Sequence, residues 1–243
     1  MNFVNKVIPL QEQQAPSVVE RWPLRQSLQI DATTAAGPAP TGWRDVAAGP
    51  LVVLVGLTGA GKTTLARALA NAGLVDCLPD RRVLTDEVIL GDDASILDRA
   101  GRFAATAAFR RTAPGGMGEV LASLSVSASR SGPLLFDGLR GEGELAFFAP
   151  KALRSVFIAL RVADETRAHR IASRGDRFDR SASGDVARAR ALVVEESSHY
   201  SLGAALQALK THAEGRFHVL DAERKNPAQI AADASKIIRA AFY

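Results

Sequence analysis

The chain has 243 residues, 47% hydrophobic and 23% charged, a globular balance that suits one large α/β domain or a domain with an appendage. Its one cysteine, Cys77, excludes a disulfide framework and a cysteine-based zinc site and fits a reducing compartment. The opening MNFVNKVIPLQEQQ lacks the apolar core of a secretory leader, and no apolar run reaches the ~20 residues of a membrane span, so the chain reads as soluble and cytoplasmic with no membrane partner. The net charge is +4, and only six of the 30 basic residues are lysine. Such an arginine bias suits phosphate recognition, because a guanidinium fork matches phosphate oxygens. A GC-rich coding bias, which favours Arg, Ala and Gly together, accounts for it as well.

Residues 1–45 read as an N-terminal extension and linker, with both tryptophans (Trp22 and Trp43), a weakly alternating edge strand over Ser27–Ala32 and a Pro/Gly/Ala linker over Thr33–Gly42. Short apolar runs then alternate with helical patterns over 46–243. Leu51–Val55 reads as a buried strand and Lys62–Asn71 as a helix stopped by Gly73. A second strand is predicted at Val83–Thr85, then helices over Ser95–Thr112 and Glu119–Ser129. Leu134–Asp137 reads as a strand, Glu142–Phe148 as a helix, Val156–Val162 as a strand and Asp164–Ser173 as a helix. Helix resumes at Asp185 for several turns, Phe217–Leu220 is the last strand and Pro227–Phe242 the closing helix. This alternation predicts a mainly parallel sheet covered by helices on both faces.

Gly56-Leu57-Thr58-Gly59-Ala60-Gly61-Lys62-Thr63 fits G-x-x-x-x-G-K-[ST], with Thr64 next, a strand running in and a helix running out. Glycines permit a tight loop whose N–H groups face phosphates, and the positive end of the following helix adds to the attraction. Gly56, Thr58, Gly59, Ala60, Gly61, Lys62, Thr63 and Thr64 are therefore the candidate nucleotide-binding residues. Lys62 is expected to reach the β- and γ-phosphates of ATP or a related nucleoside triphosphate, and the Thr63 hydroxyl to ligate Mg²⁺. Asp137, at the end of an apolar strand, is the candidate acidic support for that metal.

Over roughly residues 50–242 the chain resembles the nucleoside- and nucleotide-kinase branch of P-loop proteins. Leu135–Phe148 (LFDGLRGEGELAFF) is similar to the strand, D-G-x-R turn and helix of adenylate-kinase-like and dephospho-coenzyme-A-kinase-like proteins. Val156–Arg177 (VFIALRVADETRAHRIASRGDR) resembles their strand, helix and Arg-rich lid, and Phe217–Ile230 (FHVLDAERKNPAQI) their last strand, purine-side loop and closing helix. The resemblance implies a five-stranded sheet of order 2-3-1-4-5 between helical layers, a lid at about 174–184 closing over ATP, and an acceptor site between the second strand and the helices after it. No acceptor-site pattern specifies adenylate, thymidylate or a coenzyme A precursor, and the N-terminal extension is not part of the common core.

Arg167, Arg170 and Arg174 share one helical face, and Arg177 and Arg180 continue into a polar turn. A mobile Arg-rich loop supplies cations to a moving phosphate while excluding water, which makes Arg174 and Arg177 candidate catalytic residues; a solvated face offset by Glu165, Asp176 and Asp179 is the alternative. Asp86 stands where such kinases orient an acceptor hydroxyl, or else it caps a helix. Arg81 and Arg82 are placed to hold an anionic substrate. Arg99, Arg102, Thr106 and Arg110 form one stripe that suits phosphate or carboxylate, or equally a solvated surface. Arg140 follows the Asp137 strand, where the ligand crevice of a parallel sheet opens. The four histidines, His169, His199, His212 and His218, show no metal-ligand spacing.

Three functions follow. The leading one is a kinase moving the γ-phosphate of ATP to a small acceptor, including phosphorylated or nucleotide acceptors. The second is a nucleotide-dependent switch or accessory ATPase acting on a protein partner through the N-terminal extension. The third is a polynucleotide 5′-kinase, which the modest charge and the lack of a basic-aromatic motif disfavour.

Overall fold

The N-terminal part forms three strands, β1 (Leu28–Asp31), β2 (Thr34–Ala36) and β3 (Trp43–Asp45), of which β2 falls within the stretch predicted as a linker. The Asp31 carboxylate accepts from the Thr33 N–H at 2.7 Å, which turns the chain from β1 into β2. β2 is fully buried, so the Ala-rich stretch is interior because small side chains pack closely there, not because it is loose. The expected edge strand near Ser27–Ala32 is present as β1. The computed structural model describes residues 22–95, 97, 99–173, 183–213 and 215–243.

β4 (Leu51–Val55) leads to α1 (Lys62–Asn71), β5 (Asp76–Cys77), the short α2 (Arg81–Leu84) with an irregular helical continuation to Leu90, and α3 (Arg99–Thr112). The predicted second strand at Val83–Thr85 is thus corrected to helix. The Asp80 carboxylate accepts from the N–H groups of Arg82 and Val83 at 2.8 and 2.9 Å and starts a helical turn. The strand of the second position is instead the two-residue β5.

α4 (Met117–Ala122) is followed by β6 (Leu124–Ser127), where one helix over Glu119–Ser129 was predicted. Leu124 and Val126 alternate with serines, a period-2 pattern that pairs with β2 and β3. The antiparallel sheet β1-β2-β6-β3 is the unpredicted part of the fold. Arg130 fastens it to the main sheet, since its guanidinium meets the Asp76 carboxylate at 2.6 Å, Cys77 O at 2.7 Å and the Thr34 hydroxyl at 3.2 Å.

The chain continues through β7 (Leu134–Leu139), α5 (Glu142–Phe148), β8 (Ser155–Arg161), α6 (Asp164–Ser173), α7 (Val186–His199), α8 (Leu202–His212), β9 (Phe217–Asp221) and α9 (Pro227–Phe242). The helix expected from Asp185 is two helices, because Ser201 N-caps α8 through the Ala204 N–H. β5-β7-β4-β8-β9 form a parallel sheet. Counting its strands along the chain gives the expected order 2-3-1-4-5. Alternate residues of β4 feed opposite faces. Leu51, Val53 and Val55 enter the core under α3, α4, α5 and α8; Val52 and Leu54 enter the one under α1 and α9.

Candidate functional site

The loop from Gly56 to Thr64 joins the carboxyl end of β4 to the first turn of α1. Gly59 has φ +83°, and a Cβ there would lie 2.9 Å from Arg167 O, so glycine is what lets α6 pass close over the loop. Lys62 is buried, and its Nζ donates to Gly56 O at 2.6 Å and Leu57 O at 3.1 Å, folding the side chain back across the loop. Burial first, then the positive charge of Arg140, brings its pKa down to about 7, although Asp137 and Glu196 pull the other way.

β7 carries Asp137 to this loop through an irregularity. Val53 pairs with Phe136 and Val55 with Leu139, so β7 holds one residue more than β4 across that step. The bulge includes Asp137 and Gly138. A Cβ on Gly138 would meet the Phe136 ring at 2.3 Å, so the bulge requires glycine. The Thr63 hydroxyl donates to Asp137 Oδ2 at 3.1 Å. A hydroxyl and a carboxylate side by side are hard oxygen donors that fit Mg²⁺, which uses few protein ligands and fills its octahedron with water and phosphate oxygens. Among the described residues no group of three or more His, Cys, Asp and Glu side chains could hold a metal without such help.

The loop faces a cavity of about 1310 Å³. One end is walled by Arg81, Arg102, Thr106, Arg110 and Tyr200; another by Ala222, Lys225, Pro227 and Ile230. Arg81 is held by Glu144 through two bonds of 2.6 and 2.9 Å, donates to Gly138 O at 2.5 Å, and reaches the Tyr200 hydroxyl at 3.1 Å. Burial would raise the Glu144 pKa, but the Arg81 guanidinium and the Arg140 and Gly141 N–H groups hold it below the ordinary value. Arg110 donates to the same Tyr200 hydroxyl at 2.9 Å, and both guanidinium carbons lie 5.7 Å from the Tyr200 ring centroid. Arg81's charge is matched by Glu144. Arg110 meets a phenol there and no carboxylate among the described residues.

Of the candidate residues, Thr58 to Thr64 of the loop, Asp137, Arg81, Arg82, Arg102 and Arg140 all line this one cavity, while Gly56 does not line it and accepts from Lys62 Nζ through its carbonyl. Arg102 and Arg110 share α3 as the stripe anticipated, while the Arg99 side chain is outside the described residues. Asp86 does not line the cavity. It lies in the irregular turn after α2, ion-paired with Arg102, because the expected strand before it is helix. Arg174 and Arg177, and Arg180 with them, lie outside the described residues. Arg167, from the same predicted face, is 2% exposed and donates to Thr58 O at 2.8 Å; Arg170 donates to Ala222 O at 2.8 Å.

Three site residues escaped sequence reasoning. Glu144 seats Arg81, Tyr200 gathers two arginines, and Glu196 bonds the loop itself at Thr58. The sole sequence signals were a helix-starting GEGE and the acid-aromatic cluster Glu195–Tyr200.

Strand, glycine-rich loop, helix and the 2-3-1-4-5 parallel sheet together define a nucleotide-binding P-loop protein with the fold of the nucleotide-kinase superfamily. More particularly, the chain belongs to the AAA domain family, whose model matches residues 52–191. No curated protein matches the chain significantly. Among solved structures it is similar to a gluconokinase from Sinorhizobium meliloti 1021, at 18% identity over 81% of this chain and 94% of that one, with a TM-score of 0.40. It is also similar to a deoxyadenosine kinase from M. mycoides, at 14% identity over 78% of this chain and 99% of that one, with a TM-score of 0.44. A third is a sugar kinase from Janibacter sp. HTCC2649, at 17% identity over 80% and 98%, with a TM-score of 0.37. No helix among the described residues is long and apolar enough to cross a membrane.

Proposed function

We propose that the protein is an ATP- and Mg²⁺-dependent phosphotransferase that acts on a small anionic acceptor. The observation that carries this reading is one cavity shared by a P-loop with its Thr63–Asp137 pair and by an arginine wall facing that loop. Phosphoryl transfer asks the protein mainly to position two substrates and to neutralise charge, and these two walls do those two tasks.

On the nucleotide side, the loop N–H groups and the Lys62 ammonium hold the phosphates. Lys62 turns from the Gly56 and Leu57 carbonyls to the phosphate, whose negative charge favours the ammonium form that burial disfavours. Thr63 and Asp137 would hold Mg²⁺, which supplies charge neutralisation at the phosphate oxygens. The base is assigned to the end of the cavity where Ala222, Pro227 and Ile230 offer apolar contact beside Lys225.

On the acceptor side, Arg81, Arg102 and Arg110 bind the anionic group, with Arg81 pre-set by Glu144 and the Tyr200 hydroxyl between two guanidinium groups. Arg140 stands between the two sides, with Nη1 3.3 Å from the Thr58 hydroxyl. Asp86 is assigned no direct contact with the acceptor, since its carboxylate is ion-paired with Arg102 and does not line the cavity.

The test is ADP release from Mg²⁺-ATP with a panel of small carboxylates, sugar phosphates and nucleotides. The expected result is turnover that depends on one acceptor class and vanishes in uncharged analogues. Steady ATP hydrolysis indifferent to every acceptor would reject a transferase and favour the ATPase switch.

A further inference from the structure

Thr58 is bonded by a side chain from far along the chain. Glu196, on α7, accepts from the Thr58 N–H at 3.0 and 3.1 Å through its two oxygens, and from the Thr58 hydroxyl at 2.7 Å. Arg140 Nη1 donates to it at 3.0 Å and Arg167 Nη2 at 2.5 Å. The carboxylate side chain is 11% exposed. A backbone N–H of a P-loop, a hydroxyl and two guanidinium groups converging on one point are the donors of an oxyanion site. The site binds an anion, and in this structure the anion is part of the chain.

Its location says which external anion would compete. Glu196 acts electrostatically on Lys62, whose ammonium serves the β- and γ-phosphates of a P-loop nucleotide. Arg140 comes from the turn just beyond Asp137, on the side that leads to the arginine wall. The carboxylate therefore lies at the terminal-phosphate end of the loop. Arg140 Nε is also buried with no acceptor among the described residues, so this guanidinium has donor capacity that the carboxylate leaves unused. A phosphoryl group, with three outward oxygens, can engage donors that a planar carboxylate cannot.

We propose that Glu196 is a specificity-determining residue whose carboxylate competes with the terminal phosphate of a nucleoside triphosphate for the same donors. ATP must displace it, and ADP need not. Arg140, Arg167 and the Thr58 donors then pass from the carboxylate to the phosphoryl group, so the donors of the transfer site are assembled before ATP arrives. The cost is a competitor that selectively weakens triphosphate binding. This inference rests on the nucleotide-binding reading of the loop.

The experiment measures dissociation constants of Mg²⁺-ADP and of a non-hydrolysable Mg²⁺-ATP analogue by calorimetry, for the wild type, Glu196→Gln and Glu196→Asp. Glutamine keeps the shape and removes the charge; aspartate keeps the charge and shortens the reach. For Glu196→Gln the ATP analogue is expected to bind about tenfold more tightly, the scale of one charged hydrogen-bonding competitor, with ADP unchanged within about twofold. Glu196→Asp should tighten the analogue by a smaller factor. ADP affinity also reports that each variant is folded. If one variant does not fold, the other decides the matter by the same ATP-to-ADP ratio. An unchanged ratio overturns the proposal, as does weaker binding of the analogue, which would make Glu196 a positioning residue for Arg140 and Arg167. Wild-type protein that bound neither nucleotide would reject the nucleotide reading itself, and this inference with it.

Discussion

The two walls of the cavity are built on different principles. The P-loop is one contiguous segment, and its geometry follows from local rules: a strand, glycines where φ is positive, and a helix start. The arginine wall is assembled from α2, α3, α5 and the turn after α7, so each side chain is held by a partner distant in sequence. This second wall depends on Glu144 and Tyr200, which hold its arginines in place.

The largest expected effect falls on the first wall. Lys62→Ala should lower transfer by on the order of 10³-fold, since it removes a preorganised cation from the phosphates. Thermal stability should change little, because the Nζ bonds only to the Gly56 and Leu57 carbonyls of the loop. A variant that kept half of its turnover would contradict any role for this loop in chemistry.

The second wall should fail through stability instead. Glu144→Gln leaves the Arg81 charge without its carboxylate and should cost about 3 kcal/mol, read as a shift in the denaturant midpoint. Its pH dependence has a definite sign. Glu144 has a pKa depressed below 4.5 in the folded protein, so its contribution is present above the unfolded value and lost as pH falls through the folded one. Wild type should therefore weaken in acid below about pH 4.5, and the Gln variant should lack that part of the slope. Equal acid sensitivity in the two proteins would show that the pair is not what holds this wall.

Arg110→Ala separates the walls more finely. It removes a cation that meets only Tyr200 among the described residues, so the acceptor KM should rise about tenfold while the ATP KM stays fixed. A parallel rise in both constants would mean that Arg110 serves the cavity's shape and not the acceptor.

The same division explains what the sequence made legible. The P-loop and the Asp137 strand were readable because strand, loop and helix signals are local and periodic, whereas the sheet order was what the resemblance to P-loop kinases implied. The small antiparallel sheet was not, because β2 and β3 are joined only through β6, which follows in the chain by about ninety residues at the Thr34–Val126 pair and about eighty at the Arg44–Val126 pair. Glu144, Tyr200 and Glu196 were unreadable for the same reason: nothing near them in the chain reveals the arginines they meet. Val83–Thr85 misled because a three-residue run of Val, Leu and Thr has no period of its own, and the Asp80 cap decided it.

That cap offers the smallest and most discriminating perturbation. Asp80 accepts from the Arg82 and Val83 N–H groups and begins the helical turn that carries Arg81. Asp80→Ala should cost about 1 kcal/mol of stability, the usual value of a lost N-cap. Because Arg81 sits in the first turn, the variant should also raise the acceptor KM a few-fold with the ATP KM unchanged. Asp80→Asn, which retains a capping oxygen, should recover most of both effects; if it recovers neither, the carboxylate's charge and not its cap is what the acceptor wall requires.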